Sequence, residues 1–225
     1  GLTPDHYAGT VVEKWGPKEW LDFGIDQRRW TLSQFLHGEQ GVTLHGPIPP
    51  DGEVEAITTI VGIYDKGKAA VIRMETESKY VDSGKPAFTT RFAAFIRGEG
   101  GFGENRGPEI ADPPKAPERT PDHETTYATR ADQALLYRLS GDRNPLHSDP
   151  EIAKFAGFDK PILHGLCTYG VTGRALLHTL CGSDVNNFKS MDARFSRPVT
   201  PGDTLTVKMW IESPGEAIFE TVNQD

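Results

Sequence analysis

Cysteine is scarce in this 225-residue chain, which has only Cys167 and Cys181. Two thiols exclude a disulfide framework and point to a reducing compartment. Long apolar runs are missing too: none approaches the roughly 20 residues of a membrane span. No signal peptide is visible, and the final Asn223-Gln224-Asp225 is not a peroxisomal address. Basic residues are outnumbered, 24 Lys and Arg against 32 Asp and Glu, for a net charge of −8. Neutralising phosphate takes a basic surface, so no nucleic-acid partner is expected. A small polyanionic partner would instead need a local basic mouth. With 36% hydrophobic residues, the chain can build one large domain or two small ones sharing a core.

Residues 1–35 carry Trp15, Trp20, Phe23 and Trp30 in a charged segment without clear periodicity. From Pro47 the pattern is β. Residues 54–61, 70–77 and 88–96 alternate in side-chain character. Turn clusters at 49–52, 65–68 and 82–85 separate them, which predicts an antiparallel meander. The stretch 98–103 then satisfies G-x-G-x-x-G after a strand, the pattern of a dinucleotide site. The helix such a site requires cannot follow, because Pro108, Pro113, Pro114, Pro117 and Pro121 crowd the next residues. Residues 104–121 read instead as an extended linker.

The second half holds the chemistry. Thr129 and Asp132 have capping-box spacing, and Ala131, Ala134, Leu135 and Leu139 keep one helical face. Gly141 stands where a helix ends. Asp142, Asn144 and His147 follow within six residues, with Pro145 stiffening the loop between them. An Asp and a neutral His can share a water, taking one proton and returning another while an amide orients it. Gly165, between His164 and an apolar helical run over 166–181, can offer a backbone N–H at a helix start. Taken singly, these are ordinary turn residues. Further strands are expected over 192–195, 204–211 and 217–222.

The strings together resemble the (3R)-specific enoyl-CoA hydratases, the hydratase 2 group of the MaoC-like hot-dog family. That group includes the hydratase part of peroxisomal multifunctional enzyme type 2. Asp142-Arg143-Asn144-Pro145-Leu146-His147 matches D-x-N-P-[LI]-H, and residues 161–167 match the second block. Ala193-Arg194-Phe195 with Pro198-Val199 match the third. Leu36-His37-Gly38-Glu39-Gln40 and Asp65-Lys66-Gly67 resemble motifs of the larger, two-hot-dog members. The resemblance implies an α+β double hot-dog, two antiparallel sheets with a central helix in the C-terminal half. It divides the chain into an acyl-chain- and CoA-binding half over 1–103, the linker 104–121, and a catalytic half over 122–225. It implies reversible hydration of trans-2-enoyl-CoA to (3R)-3-hydroxyacyl-CoA, in β-oxidation of fatty acids or sterol side chains. Asp142, His147, Asn144 and the Gly165 N–H would do the chemistry. His37, Gly38, Lys66, Arg143, Pro145, Leu146 and Phe195 would contact the acyl-CoA. It calls for no metal and no cofactor, and implies a homodimer, off the membrane, in a bacterial cytoplasm or a peroxisome.

Other readings are weaker. His164, Cys167 and Cys181 have zinc-binding atoms but not paired-ligand spacing. No G-x-S-x-G is present, and Cys167 has no evident activating base. An acyl-carrier dehydratase or thioesterase would share the architecture, and a non-catalytic acyl-CoA binder remains open. An internal echo is also visible: Leu36-His37-Gly38 repeats Leu163-His164-Gly165, and Pro47-Ile48-Pro49-Pro50 repeats Pro198-Val199-Thr200-Pro201. Pro47 comes nine positions after Gly38, and Pro198 comes thirty-three after Gly165. The first half therefore has no room for an equivalent helix there. Its sheet, through Ile60, Ile72 and Phe92, is expected to border a vacancy for the acyl tail unless Trp15, Trp20 and Trp30 fill it.

Overall fold

Alternation along residues 54–97 becomes a meander in the computed structural model, which describes residues 35–103 and 114–224. Strand β1 (Phe35–Leu44) comes first, then β2 (Val54–Asp65), β3 (Ala69–Tyr80) and β4 (Pro86–Arg97). Gly67 (φ 79°) and Gly84 (φ 65°) make the two tight turns, in a backbone region that other residues enter at a cost. The inward positions are Ala70, Ile72, Met74, Ala94 and Ile96, with Phe35, Ile60, Ile63 and Phe92 packed around them. Fully burying a side chain such as Ile72 contributes about 1.5–3 kcal/mol.

The second half runs β5 (His123–Ala128), α1 (Gln133–Tyr137), α2 (Pro150–Phe155), α3 (Gly165–Thr179), β6 (Ser190–Arg194), β7 (Thr204–Ser213) and β8 (Glu216–Val222). Sheet order is β5-β7-β8 in one sheet and β2-β3-β4-β1-β6 in the other. Thus β6, which follows α3 in the chain, pairs antiparallel with β1 of the first half and makes the seam. Helix α3 lays Ala175 and Leu176 onto Val207, Met209 and Met191, and Val42 of β1 joins that cluster. The architecture is an α+β double hot-dog whose two halves join at the β1–β6 seam. At the seam Arg91 of β4 reaches over β1 to Asp192 of β6, at 2.8 Å. Gly41 of β1 lies beneath the pair, where a Cβ would run into the Asp192 carboxylate.

Several expectations change. The Leu-His-Gly echo is not structural: His37 lies within β1, whereas His164 caps α3. The proline echo does correspond, since Pro47 and Pro198 each closely follow a seam strand. The nine residues after Gly38 are therefore strand and turn, not a shortened helical stretch. Trp15, Trp20, Phe23 and Trp30 lie outside the described residues. Ile72 is fully buried and borders no open space.

The capping box also fails. Asp132 makes no side-chain cap and instead pairs with Arg130 at 2.7 Å. Thr129 is buried; its Oγ1 donates to the Asp203 carbonyl at 2.7 Å and accepts from the Gly202 N–H at 2.9 Å. On α1 the inward residues are Gln133 and Ala134, while Leu135, and Leu139 in the turn that follows, face out. Of the linker, residues 104–113 lie outside the described set. Its end is pinned to β7, where Trp210 Nε1–H donates to the Arg119 carbonyl at 2.8 Å. The glycine-rich loop has a partner of its own. The buried Asp65 carboxylate accepts N–H bonds from Gly67 (2.7 Å), Gly101 (2.8 Å) and Gly103 (3.0 Å). The glycines cradle an anion, but the anion is a side chain of the same fold.

Candidate active site

The loop between α1 and α2 is built by local bonds. Gly141 (φ 122°) ends the short helical turn Arg138–Ser140. Asp142 Oδ1 accepts from the Asn144 N–H at 3.1 Å, and Asn144 Oδ1 accepts from the Leu146 N–H at 3.0 Å. These are Asx turns, which side chains of this length favour. Asn144 thereby caps the 3-10 turn Pro145–His147, and Pro145 takes its first position. Asn144 uses its carbonyl oxygen for the cap, so only its NH₂ group remains to face a ligand.

His147 comes off this turn half-buried. Its Nδ1 is 2.8 Å from the Ile162 carbonyl, which can only accept, so in the neutral ring Nδ1 carries the proton. Nε2 is then left with a lone pair. Burial lowers the His147 pKa, against the Ile162 bond and the Asp142 charge, which raise it. At neutral pH the ring is therefore a base. Just behind it lies His164, 1% exposed, its ring stacked on that of His147 with centroids 3.8 Å apart. The His164 Nε2–H donates to the Asp142 carbonyl at 3.2 Å, and its buried Nδ1 has no partner. Burial, then the neighbouring His147, push the His164 pKa down to about 4.

Gly165 opens α3. Intrahelical bonds to the His164 carbonyl begin at Cys167 (3.0 Å) and Thr168 (3.3 Å), two and three residues further on. The N–H groups ahead of them sit at the positive end of the helix. A Cβ at Gly165 would touch the Phe195 ring at 3.4 Å, so glycine keeps this approach open.

These groups meet in a cleft of about 830 Å³ between the halves. Asp142, Asn144, Leu146, His147 and Gly165 line one side; His37, Gly38 and Phe195 face them. His37 arrives through a β-bulge, where the register against β4 slips between His37 and Glu39. Its ring lies 4.2 Å from that of Phe92 and 4.9 Å from that of Phe195, and burial lowers its pKa.

Three expected contacts are not on the cleft wall. Lys66 sits in the exposed β2–β3 turn, with its ammonium 5.7 Å from the Tyr64 ring. Arg143 is exposed beside Asp142, and Pro145 serves the 3-10 turn. The cations that do line the cleft are Arg97, Arg194 and Arg197. Two of these stand within or beside the third motif block, so the sequence carried their signal. His164 was visible as a motif letter, but its stacking on His147 was not.

As for a metal, Asp142, His147 and His164 have donor atoms within 4.8 Å of one another. Each ring, however, already gives one nitrogen to a carbonyl. The rings are stacked with centroids 3.8 Å apart, and the remaining His164 nitrogen, Nδ1, is buried. The set fits proton handling better than a cation. The zinc alternative fails on distance: Cys167 is in the first turn of α3 and Cys181 lies beyond its end, about 20 Å apart at 1.5 Å per residue.

The model of the MaoC like domain matches residues 112–225, and that of the MFE-2 hydratase 2 N-terminal domain matches residues 12–98. The chain is 49% identical over 189 residues to 3-hydroxyacyl-thioester dehydratase Y of Mycobacterium tuberculosis, covering 83% of this chain and 65% of that protein. It is 42% identical over 204 residues to the probable enoyl-CoA hydratase 2 of Dictyostelium discoideum, covering 90% and 69%. The chain thus spans about two thirds of the length of these relatives. The MaoC-like dehydratase structure from Phytophthora capsici superposes with a TM-score of 0.80 at 40% identity, covering 88% of this chain and 69% of that one. The chain belongs to the MaoC-like family, with a hydratase 2 N-terminal domain ahead of its MaoC-like domain.

Proposed function

We propose that this chain hydrates trans-2-enoyl-CoA thioesters reversibly to (3R)-3-hydroxyacyl-CoA, as a hydro-lyase of fatty-acid or sterol side-chain β-oxidation. One observation carries the reading: a basic His147 Nε2, the Asp142 carboxylate and the first N–H groups of α3 open on one cleft. Asp142 and His147 hold a water, and its oxygen bonds to C3 of the alkene. The pair takes one proton from that water and returns one to C2, so the sum is addition of H₂O. The Gly165 N–H stabilises the thioester enolate between these steps, and the Asn144 NH₂ group helps seat the water. The 3R outcome rests on the family. Dehydrogenases of known 3R or 3S preference, coupled to the product, check it; a 3S product alone rejects it.

The first half would supply acyl and CoA contacts through His37, Gly38 and the wall behind them, with Phe195 beside them. The names of the relatives, one a thioester dehydratase and one an enoyl-CoA hydratase, support one reaction read in its two directions. The test follows loss of enoyl-thioester absorbance with CoA and carrier-protein substrates in parallel. Turnover of the carrier substrate alone would favour the dehydratase reading, and binding without absorbance loss would reject catalysis. A homodimer in a bacterial cytoplasm or a peroxisome completes the proposal. Exposed Leu135, Leu136, Leu139 and Phe155 offer apolar surface for a second copy, which light scattering can test.

A further inference from the structure

His164 has no part in the chemistry just described and does not reach the cleft wall, yet it touches two of the groups that do the work. Its ring face covers the ring of His147 at 3.8 Å, and the Tyr137 ring packs against it at 4.7 Å. Its Nε2–H holds the backbone carbonyl of Asp142 at 3.2 Å across twenty-two residues of sequence. The next residue, Gly165, supplies the first N–H of α3. A buried imidazole with an unpartnered Nδ1 is an expensive way to fill space. A leucine would fill it without leaving a lone pair dry.

We propose that His164 is a positioning residue for the Asp142–His147 pair, its ring setting the plane and dryness of the His147 imidazole and its N–H fixing the loop that presents Asp142. The inference rests on the hydratase reading and deepens it. His164 can do both tasks only as the neutral Nε2–H tautomer. Protonation would add a buried N–H without an acceptor and a cation against a ring that must itself accept a proton. Its low pKa, about 4, agrees with that requirement. The ionisable groups around the two rings are Asp142 on the loop, Tyr137 and Arg138 on the turn before it, and Cys167 on α3. His37 faces them from β1 across the cleft.

Two variants separate the two tasks. His164→Gln keeps a donor but removes the ring; His164→Phe keeps the ring face but removes the donor. Histidine side chains are titrated by NMR in wild type and both variants, and kcat and KM are measured for an enoyl-CoA across pH. In H164Q the ring of His147 should become wetter. Its titration and the acid limb of kcat/KM should then move together toward pH 6.5. In H164F the His147 titration should stay low while kcat falls by about tenfold to a hundredfold, as expected for a displaced reacting group. Wild-type His164 should hold its proton on Nε2 throughout the working pH range. A His147 titration unchanged in H164Q, with full kcat in H164F, would overturn the proposal. So would a wild-type His164 protonated on Nδ1, a readout that needs no variant to fold. Absence of hydration by wild type would sink the hydratase reading, whereas the titrations report on positioning without any turnover.

Discussion

At the scale of single residues, the candidate site depends on which proton sits where. Asp142→Asn and His147→Gln should each lower kcat by about 10²–10⁴ with an unchanged circular dichroism spectrum; near wild-type turnover in either would remove the pair from the mechanism. Asn144→Ala should also lose the cap on the Pro145–His147 turn, so its damage includes the placement of His147. The pH dependence follows from burial. Because His147 titrates below its ordinary 6.5, kcat/KM should hold level as pH falls through 6.5 and decline only below it. The Asp142 charge raises that pKa, so Asp142→Asn should move the NMR titration of His147 further down. Stability carries a matching signature at His164. Its folded pKa, about 4, lies below the unfolded value. The unfolded chain therefore binds the extra proton, and its contribution, complete above pH 6.5, is lost toward pH 4. Thermal melts of wild type should show that slope, and melts of H164F should show it reduced. The loop was legible in the sequence because Asp142, Asn144, Pro145 and His147 make their structure with near neighbours. The stack of His164 on His147 was not, since it joins residues seventeen apart through a fold no local pattern records.

At the scale of elements, legibility followed the same division. Alternation over 54–61, 70–77 and 88–96, with a glycine turn after each strand, announced β2, β3 and β4, which run twelve residues each. β1 and β5 were not announced. β1 contains Gly38, Glu39, Gln40 and Gly41 and is extended because β4 and β6 pair with it on both sides. The six residues of β5 are mostly polar and become a strand only beside β7. The glycine-rich loop, rejected as a dinucleotide site because prolines follow it, still holds an anion on its backbone N–H groups, the side chain of Asp65. Both Asp65 oxygens are used, and three backbone N–H groups hold its pKa near 2. Asp65→Asn would turn an amide N–H toward a backbone N–H and should lower the melting temperature at pH 7. Because the folded pKa is depressed, the advantage of wild type should be full above about pH 4 and vanish as pH falls toward 2. An equal gap at pH 7 and pH 2 would show that charge plays no part. Gly100→Ala should destabilise by roughly 1–3 kcal/mol, since its Cβ would meet the Gly67 carbonyl, which is backbone and cannot swing aside. An unchanged melt would mean the loop lifts freely.

At the scale of the whole molecule, the seam decides where a substrate can lie. β1 and β6 pair across the two halves, and Arg91 clasps Asp192 over Gly41. The cleft opens where that seam ends, with Phe195 N–H bonded to the Gly38 carbonyl at 2.9 Å. The proton-handling loop comes wholly from the second half. On the facing side the wall is apolar and comes from the first half: Leu36, Val71, Phe92 and Phe95. This apolar wall supports placing the acyl tail along the first half, although not for the reason first given. The residues after Gly38 form a strand, and the fully buried Ile72 is replaced on the wall by its neighbour Val71, which points to the opposite face of β3. A cleft of about 830 Å³ lies in the range of sites for drug-sized ligands and far exceeds a four-carbon acyl group. Wild type should therefore accept long or branched enoyl-CoA substrates. Val71→Phe, which adds volume to the first-half wall away from the Asp142–His147 loop, should lower kcat/KM for those substrates by about tenfold and spare the four-carbon one. The comparison is made on folded protein with both substrates at one pH. Equal losses for both would place the tail elsewhere, and a wild type confined to four carbons would reject the tail site.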